Sequence, residues 1–278
     1  MKKLLFILIF LLITSCKITR NVEKSSKDLR TINFPKKEIK VSKSLDKENI
    51  WVYIMAGQSN MAGRGFVEPK DTISNTRILT INSKNEIIYA KEPLHFYEPS
   101  GTGLDLGMSF AKEIITRIPD SISILMIPTA VGGSSIEQWI ENKKHRNIKL
   151  LDNFKNKVEV AKTYGIIKGV LWHQGESDTN NQILIDNYGK NLYSLFAKFR
   201  QFAGNEELPI IVGELGSYST NKENWRKLNE KIINYVKTDP NVKVVKTSDL
   251  TDKGDKLHFD SKSIRILGKR YAKQIIKH

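Results

Sequence analysis

The sequence predicts an α/β domain built on a mostly parallel sheet flanked by helices, and three observations predict it. From residue 50 to the end, short apolar runs alternate with longer amphipathic stretches. The runs have the length and β-branched or aromatic content of strands, and the stretches repeat apolar residues every three or four positions, as helices do. No second linker-like interval interrupts residues 50–278, so one domain is the economical division.

In order, residues 50–55 (Ile-Trp-Val-Tyr-Ile-Met) are uniformly apolar and read as a buried strand, and 77–81 follows as a second. Leu106, Phe110 and Ile114 predict a helix over 106–117, and the apolar run 122–127 predicts the third strand. Leu151, Phe154, Val158 and Ala161 give a helix over 151–164, which leads to a strand over 166–172. Ile185, Tyr188, Leu192, Leu195 and Phe199 mark a helix over 185–202 before a strand at 209–213. Trp225, Leu228, Ile232 and Tyr235 mark one over 225–238 before a strand at 242–246, and a last helix covers 262–276. Trp51 and Trp172 lie within strands and read as core.

Composition narrows the class. The 278 residues carry a net charge of +15, with 40% hydrophobic and 27% charged residues, as in an ordinary globular protein. A single cysteine excludes a disulfide scaffold, a cysteine-rich zinc module and an iron–sulfur site. That cysteine, Cys16, follows Lys2, Lys3, an apolar run over residues 4–13 and Thr14-Ser15. The run is too short to span a bilayer, which takes about 20 residues. A basic start, a short apolar stretch and small residues describe a secretory signal peptide over 1–15. Ile13-Thr14-Ser15-Cys16 also resembles the bacterial lipobox, which implies a chain that starts at a lipidated Cys16. The expected location is therefore the bacterial cell envelope, with a membrane anchor at Cys16. Lys17, not an aspartate, follows the cysteine, which favours the outer membrane. Residues 16–49 read as a lipidated start and a solvated basic tether, with ten basic and five acidic side chains over 17–49. The charge is scattered and no nucleic-acid motif accompanies it, so no nucleic-acid partner is expected.

The chemistry collects at the ends of the strands. Ala56-Gly57-Gln58-Ser59-Asn60-Met61-Ala62-Gly63-Arg64-Gly65 sets a serine where the first strand should turn, its hydroxyl exposed and amides around it. It is not the nucleophile-elbow pattern, which needs glycines two residues either side of the serine. After the third strand, Gly132 and Gly133 allow close backbone approach to a substrate. The fourth ends in Trp172-His173-Gln174-Gly175-Glu176-Ser177-Asp178, and Asp255-Lys256-Leu257-His258 precedes the last helix, which Asp260 or Ser261 is placed to cap. Ligands of open α/β sheets bind beyond the carboxyl ends of the strands, so the four segments should converge on one site.

A catalytic serine needs a base within reach and an acid to orient it. His258, with Asp255 three residues before it, is the best candidate; His173 competes but sits where it can equally face the core, and His95 lies in a Pro-flanked loop. Glu176, Asp178, Asp255, His173 and His258 were they metal ligands would belong to a different class of hydrolase, but neither H-E-x-x-H nor a similarly tight spacing occurs.

Together the serine block, the Gly132-Gly133 turn, residues 172–178 and the Asp255-to-His258 segment resemble the SGNH hydrolase superfamily. More narrowly they resemble its branch of sialate O-acetylesterases and the acetylxylan esterases of carbohydrate esterase family six. Gln58 stands where the superfamily usually has aspartate and Gln174 where it has asparagine, departures that point to that branch. The resemblance implies a three-layer α/β/α sandwich, the flavodoxin-like SGNH fold, without metal or other cofactor. It implies Ser59 as nucleophile, His258 as base and Asp255 as orienting carboxylate, with Glu176 as a second possible partner for His258. An oxyanion would be held by the N–H of Ser59, the N–H of Gly132 or Gly133, and the side-chain amide of Gln174. Gln58, Arg64 and Trp139 are weaker substrate-binding candidates, Trp139 as a stacking face for a sugar ring. The implied activity is removal of O-acetyl groups from an oligo- or polysaccharide; the alternative is a glycan-binding lipoprotein that kept the fold without catalysis.

Overall fold

The computed structural model describes residues 30–42 and 45–276. The expected signal peptide, Cys16 and the first part of the expected tether lie outside the described residues. Nine strands and seven helices are used below: β1 (Ile50–Gly57), α1 (Ser59–Ala62), β2 (Ile78–Ile81), β3 (Ile87–Tyr89), α2 (Gly107–Ile114), β4 (Ser123–Pro128), α3 (Ile136–Ile140), β5 (Lys144–His145), β6 (Ile148–Lys149), α4 (Leu150–Tyr164), β7 (Ile166–His173), α5 (Gln182–Ala203), β8 (Ile210–Gly213), α6 (Lys222–Val236), β9 (Val242–Val245) and α7 (Ser261–Ile276).

The central sheet has the order β3-β2-β4-β1-β7-β8-β9, parallel throughout except for β3, which runs antiparallel to β2 at one edge. β5 and β6 form a separate two-stranded ribbon. Successive side chains of a strand face opposite sides, and the core divides accordingly. Val52, Ile54 and Ala56 of β1, with Leu125, Ile127, Val170 and Trp172, join the cluster covered by α3, α4, α5 and α6. Tyr53 and Met55, with Ile124, Met126 and Leu171, join the opposite cluster under α2 and α7. A strand buried on both faces must be apolar at every position, which is why the sequence shows runs and not alternation.

The result is a three-layer α/β/α sandwich with a mostly parallel sheet. β3, α1, α3 and the β5–β6 ribbon are additions to the predicted elements, all too short to show a period of their own. No helix among the described residues is long and apolar enough to cross a membrane.

The tether reading is corrected for its described part. Phe34 packs against one core cluster, and Val41 and Leu45 against the other. Lys40 bridges Ile88, Tyr89 N–H donates to Ile39 C=O at 2.9 Å, and Arg30 donates to the carbonyls of Thr102 and Pro99. The physical reason is the unpaired outer edge of β3, whose backbone groups need partners that the preceding segment supplies.

An aromatic cluster anchors the α5 side. Phe199 stacks on Phe154 at 3.9 Å and meets Trp172 and Phe196 at 5.9 and 6.0 Å. Phe199→Ala should therefore cost about 3–5 kcal/mol in urea unfolding. Tyr193→Ala, on the same helix but 68% exposed, should stay within about 0.5 kcal/mol.

Candidate active site

The serine is set by how β1 ends. Gly57 has φ +136°, and a Cβ there would stand 2.1 Å from the carbonyl oxygen of His173, so only glycine lets β1 and β7 run together to this point. Gln58 N–H then donates to His173 C=O at 3.0 Å, and the Gln58 carbonyl accepts from Met61 and Ala62 N–H at 3.0 and 2.8 Å. The chain thus turns straight from strand into α1 with Ser59 in its first turn, where the backbone N–H has no partner within the helix.

The histidine arrives on a closed loop. Asp252 bridges Phe259, and Lys253 N–H donates to His258 C=O at 2.9 Å. Within it, Asp255 Oδ1 accepts the backbone N–H groups of Leu257 and His258 at 3.1 and 2.8 Å, and Oδ2 lies 2.7 Å from His258 Nδ1. His258 Nε2 is 3.0 Å from Ser59 Oγ. An ionised carboxylate only accepts, so Nδ1 carries the proton and Nε2 is left to take one from the serine hydroxyl. Asp260 accepts Ser263 N–H at 2.7 Å and so caps α7 behind the loop.

Asn60 locks this loop to the serine. Its Oδ1 accepts Phe259 N–H at 3.1 Å, and its Nδ2 donates to Leu257 C=O at 3.1 Å and to Glu176 Oε1. Glu176 is therefore corrected as a partner of His258: it sits behind Asn60 and is hydrogen-bonded to that side chain. Burial pushes the Glu176 carboxyl up to about 7, against the lowering hydrogen bond from Asn60.

Asp255 and His258 are tuned in the sense a base requires. Partial burial would raise Asp255, but the backbone and ring N–H of His258 and the N–H of Leu257 hold it down at about 2. Burial lowers His258 below its ordinary value, with the Asp255 carboxylate opposing. Nε2 is a base only when neutral, that is above the folded pKa.

The glycine turn after β4 is positioned by Glu98, a residue no sequence signal marked. Gly132 N–H donates to Glu98 Oε2 at 2.5 Å, and the same carboxylate pairs with Arg64 at 2.8 Å and with Arg146. Burial alone would raise Glu98, and Arg64, Gly132 N–H and Arg146 together bring it below the ordinary carboxylate range. The choice between the glycines follows. Gly132 N–H is taken, which corrects it as an oxyanion donor. Gly133, at φ +77° and on the cavity wall, has no backbone acceptor for its N–H among the described residues.

Gln174 is corrected as well. Its side-chain amide nitrogen faces three acceptors, Gln58 Oε1 at 3.0 Å, Ser134 C=O at 3.0 Å and Asp178, which share its two N–H hydrogens and leave none for a substrate. Tyr188 O–H meets Gln174 Oε1 at 3.0 Å, and the side chain is fully buried. Trp139 is corrected to core: it is fully buried, its indole N–H donates to Ser134 Oγ at 2.9 Å and its ring meets Trp172 edge-on. Arg64 does line the cavity, with its guanidinium held by Glu98 and by Gly63 C=O at 2.8 Å.

The other histidines resolve similarly. His173 is buried against Tyr271, Nδ1 to hydroxyl 3.1 Å, and burial holds it down at about 3. His95 does have an acid, Asp105 at 2.9 Å, brought to it by the fold.

Ser59, His258, Gly133, Gln58 and Arg64 share one cavity of about 650 Å³ at the carboxyl ends of β1, β4 and β7, where the succession of strands changes direction across the sheet. Any reaction that uses Nε2 as base should stay active below the ordinary histidine pKa of about 6.5 and fail as pH falls through the depressed value. Asp255→Asn removes the group that opposes the lowering. The acid limb of its kcat/KM profile should then lie at still lower pH.

The chain is similar to known proteins. A family model described as carbohydrate esterase, sialic acid-specific acetylesterase matches residues 49–277. A probable carbohydrate esterase of Arabidopsis thaliana is 31% identical over 247 residues, 82% of this chain and 90% of that protein. The X-ray structure of that protein superposes with a TM-score of 0.73 at 29% identity, over 82% of this chain and 98% of the other. NanS shares the fold at 18% identity, with a TM-score of 0.65 over 84% of this chain and 98% of its own. With its serine block, its glycine turn and the segment after β7 all inside the matched residues, the chain belongs to the carbohydrate esterase, sialic acid-specific acetylesterase family, in the sialate O-acetylesterase branch of the SGNH hydrolases.

Proposed function

We propose that the protein is a serine esterase that removes O-acetyl groups from carbohydrates, of the sialate O-acetylesterase or acetylxylan esterase type, through an acyl-enzyme intermediate. The observation that carries this reading is the chain of hydrogen bonds from Ser59 Oγ to His258 Nε2 and from His258 Nδ1 to Asp255, at 3.0 and 2.7 Å. It opens into a cavity with room for a sugar ring and its acetyl group.

Ser59 Oγ attacks the acetyl carbonyl carbon while its proton passes to His258 Nε2. The carbonyl π pair moves onto oxygen, which the N–H groups of Ser59 and Gly133 receive. Asp255 holds the imidazole in the required tautomer and stabilises the imidazolium. As the pair returns, the carbon–oxygen bond to the sugar breaks and His258 gives its proton to the departing sugar oxygen. Water then attacks the acetyl-Ser59 ester, loses a proton to His258, and acetate leaves with Ser59 Oγ reprotonated.

The test is acetate release from 4-nitrophenyl acetate, acetylated xylan and O-acetylated sialic acid. Ser59→Ala should lower kcat by about 10⁴-fold or more, and Asp255→Asn by about 10⁴-fold. Glu176→Gln, which keeps an acceptor for Asn60, should cost less than about 10-fold. The preferred substrate assigns the type. No release from any of the three, with folded protein that still binds glycan, replaces this reading with the glycan-binding one.

We further propose that Cys16 is lipidated and anchors the enzyme in a bacterial cell envelope, at the outer membrane, which the lipobox-like Ile13-Thr14-Ser15-Cys16 supports. Cells fed labelled fatty acid should label the wild-type protein, and Cys16→Ser should abolish the label and release the protein from the membrane fraction.

A further inference from the structure

We propose that the side-chain amide of Gln58 is the third donor to the oxyanion, and that Gln174 is a positioning residue acting through it. This rests on the serine-esterase reading above.

Two hydrogen bonds orient Gln58. Its Oε1 accepts from Gln174 Nε2 at 3.0 Å and from the backbone N–H of Ser177 at 3.2 Å. A backbone N–H can only donate, so the atom facing Ser177 is the oxygen and the amide cannot be turned round. The NH2 group is thereby fixed on the opposite side of the side chain. Among the described residues Gln58 Nε2 has no hydrogen-bond partner, yet it is not one of the sealed polar atoms without partners there, which are His95 Nε2, His173 Nε2, Glu176 Oε2, Asn191 Nδ2 and Tyr218 OH. Gln58 lines the cavity immediately before Ser59. A free, two-hydrogen donor therefore opens into the space where the acetyl carbonyl must sit.

The donor is held rigidly. Gln174 is itself fixed from three sides: its amide nitrogen by Ser134 C=O and Asp178, its oxygen by Tyr188 O–H. Gln58 is 2% exposed and cannot swing away. Donors fixed before the charge develops need no reorganisation as the carbonyl oxygen turns anionic. Ser59 N–H, Gly133 N–H and Gln58 Nε2 then form the full set.

Gln58→Met removes the donor at similar volume without adding charge, and Gln58→Glu keeps an oxygen for Gln174 and Ser177 while losing the NH2. Both should lower kcat by about 10²–10³-fold with KM within about threefold. Binding of a phosphonate that mimics the tetrahedral intermediate should weaken in step with kcat/KM, which a merely structural role would not produce. Gln174→Glu should lower kcat as well, and the Gln58→Met/Gln174→Glu double variant should be no slower than Gln58→Met. A folded Gln58→Met enzyme, with unchanged circular dichroism and Tm, that retains kcat within about threefold overturns the proposal. So does full additivity in the double variant. Ser59→Ala is run alongside on the same substrates: acetate release that survives it overturns the serine reading itself, whereas its loss with an active Gln58→Met overturns only the role of Gln58.

Discussion

β1 is hydrogen-bonded on both sides, in parallel, to β4 and β7, and buried on both faces, and the site depends on that arrangement. Met55 is paired with Pro128, and Gly57 with His173, so all three strands end at the same edge. Parallel strands deliver their following loops to one edge by necessity. The serine turn, the glycine turn and the segment beginning at Gln174 therefore meet within a few residues of their strands. The contact of Gly57 with the His173 carbonyl tightens this further, because any side chain there would push β1 away from β7 and carry Ser59 with it.

Around that edge the polar side chains form a frame in which each member is held by residues from another loop. Asn60 joins the serine turn to the histidine loop and to Glu176; Gln58 joins it to Gln174 and Ser177; Glu98 joins the glycine turn to Arg64 and Arg146. Buried polar groups demand such partners, since an unpaired one costs about 1–3 kcal/mol. The same partners fix the reacting groups in position, so most of the frame's hydrogen bonds also hold the site rigid, with Glu176 Oε2 left without a partner among the described residues. The members differ in charge state accordingly. Asp255, with N–H donors around it, stays ionised, while deeper burial pushes Glu176 and Asp178 up to about 7 and 6.

The succession of strands and helices and the segments that form the site were legible in the sequence. Buried strands appear as unbroken apolar runs such as 50–55, and the helices as apolar residues three and four apart, because both patterns follow from local geometry alone. Asp255 and His258 were legible as a pair for the same reason: three residues apart on one loop, they can meet without help from the rest of the chain.

What the sequence by itself determined is therefore which chemical groups reach the carboxyl edge of the sheet. What only the tertiary structure decided is which of those groups remain free to act. Gly132 and Gly133 are equivalent as letters, and they separate only because Glu98, 34 residues earlier, takes the N–H of the first. Gln58 and Gln174 are both amides beside the serine, and they separate because Ser177 and Gln174 claim the oxygen of one while Ser134 and Asp178 claim the nitrogen of the other. Trp139 has the aromatic face of a sugar platform and lies in the core. A donor's availability is a property of the acceptors around it, and those come from segments whose proximity is set by packing, not by order along the chain.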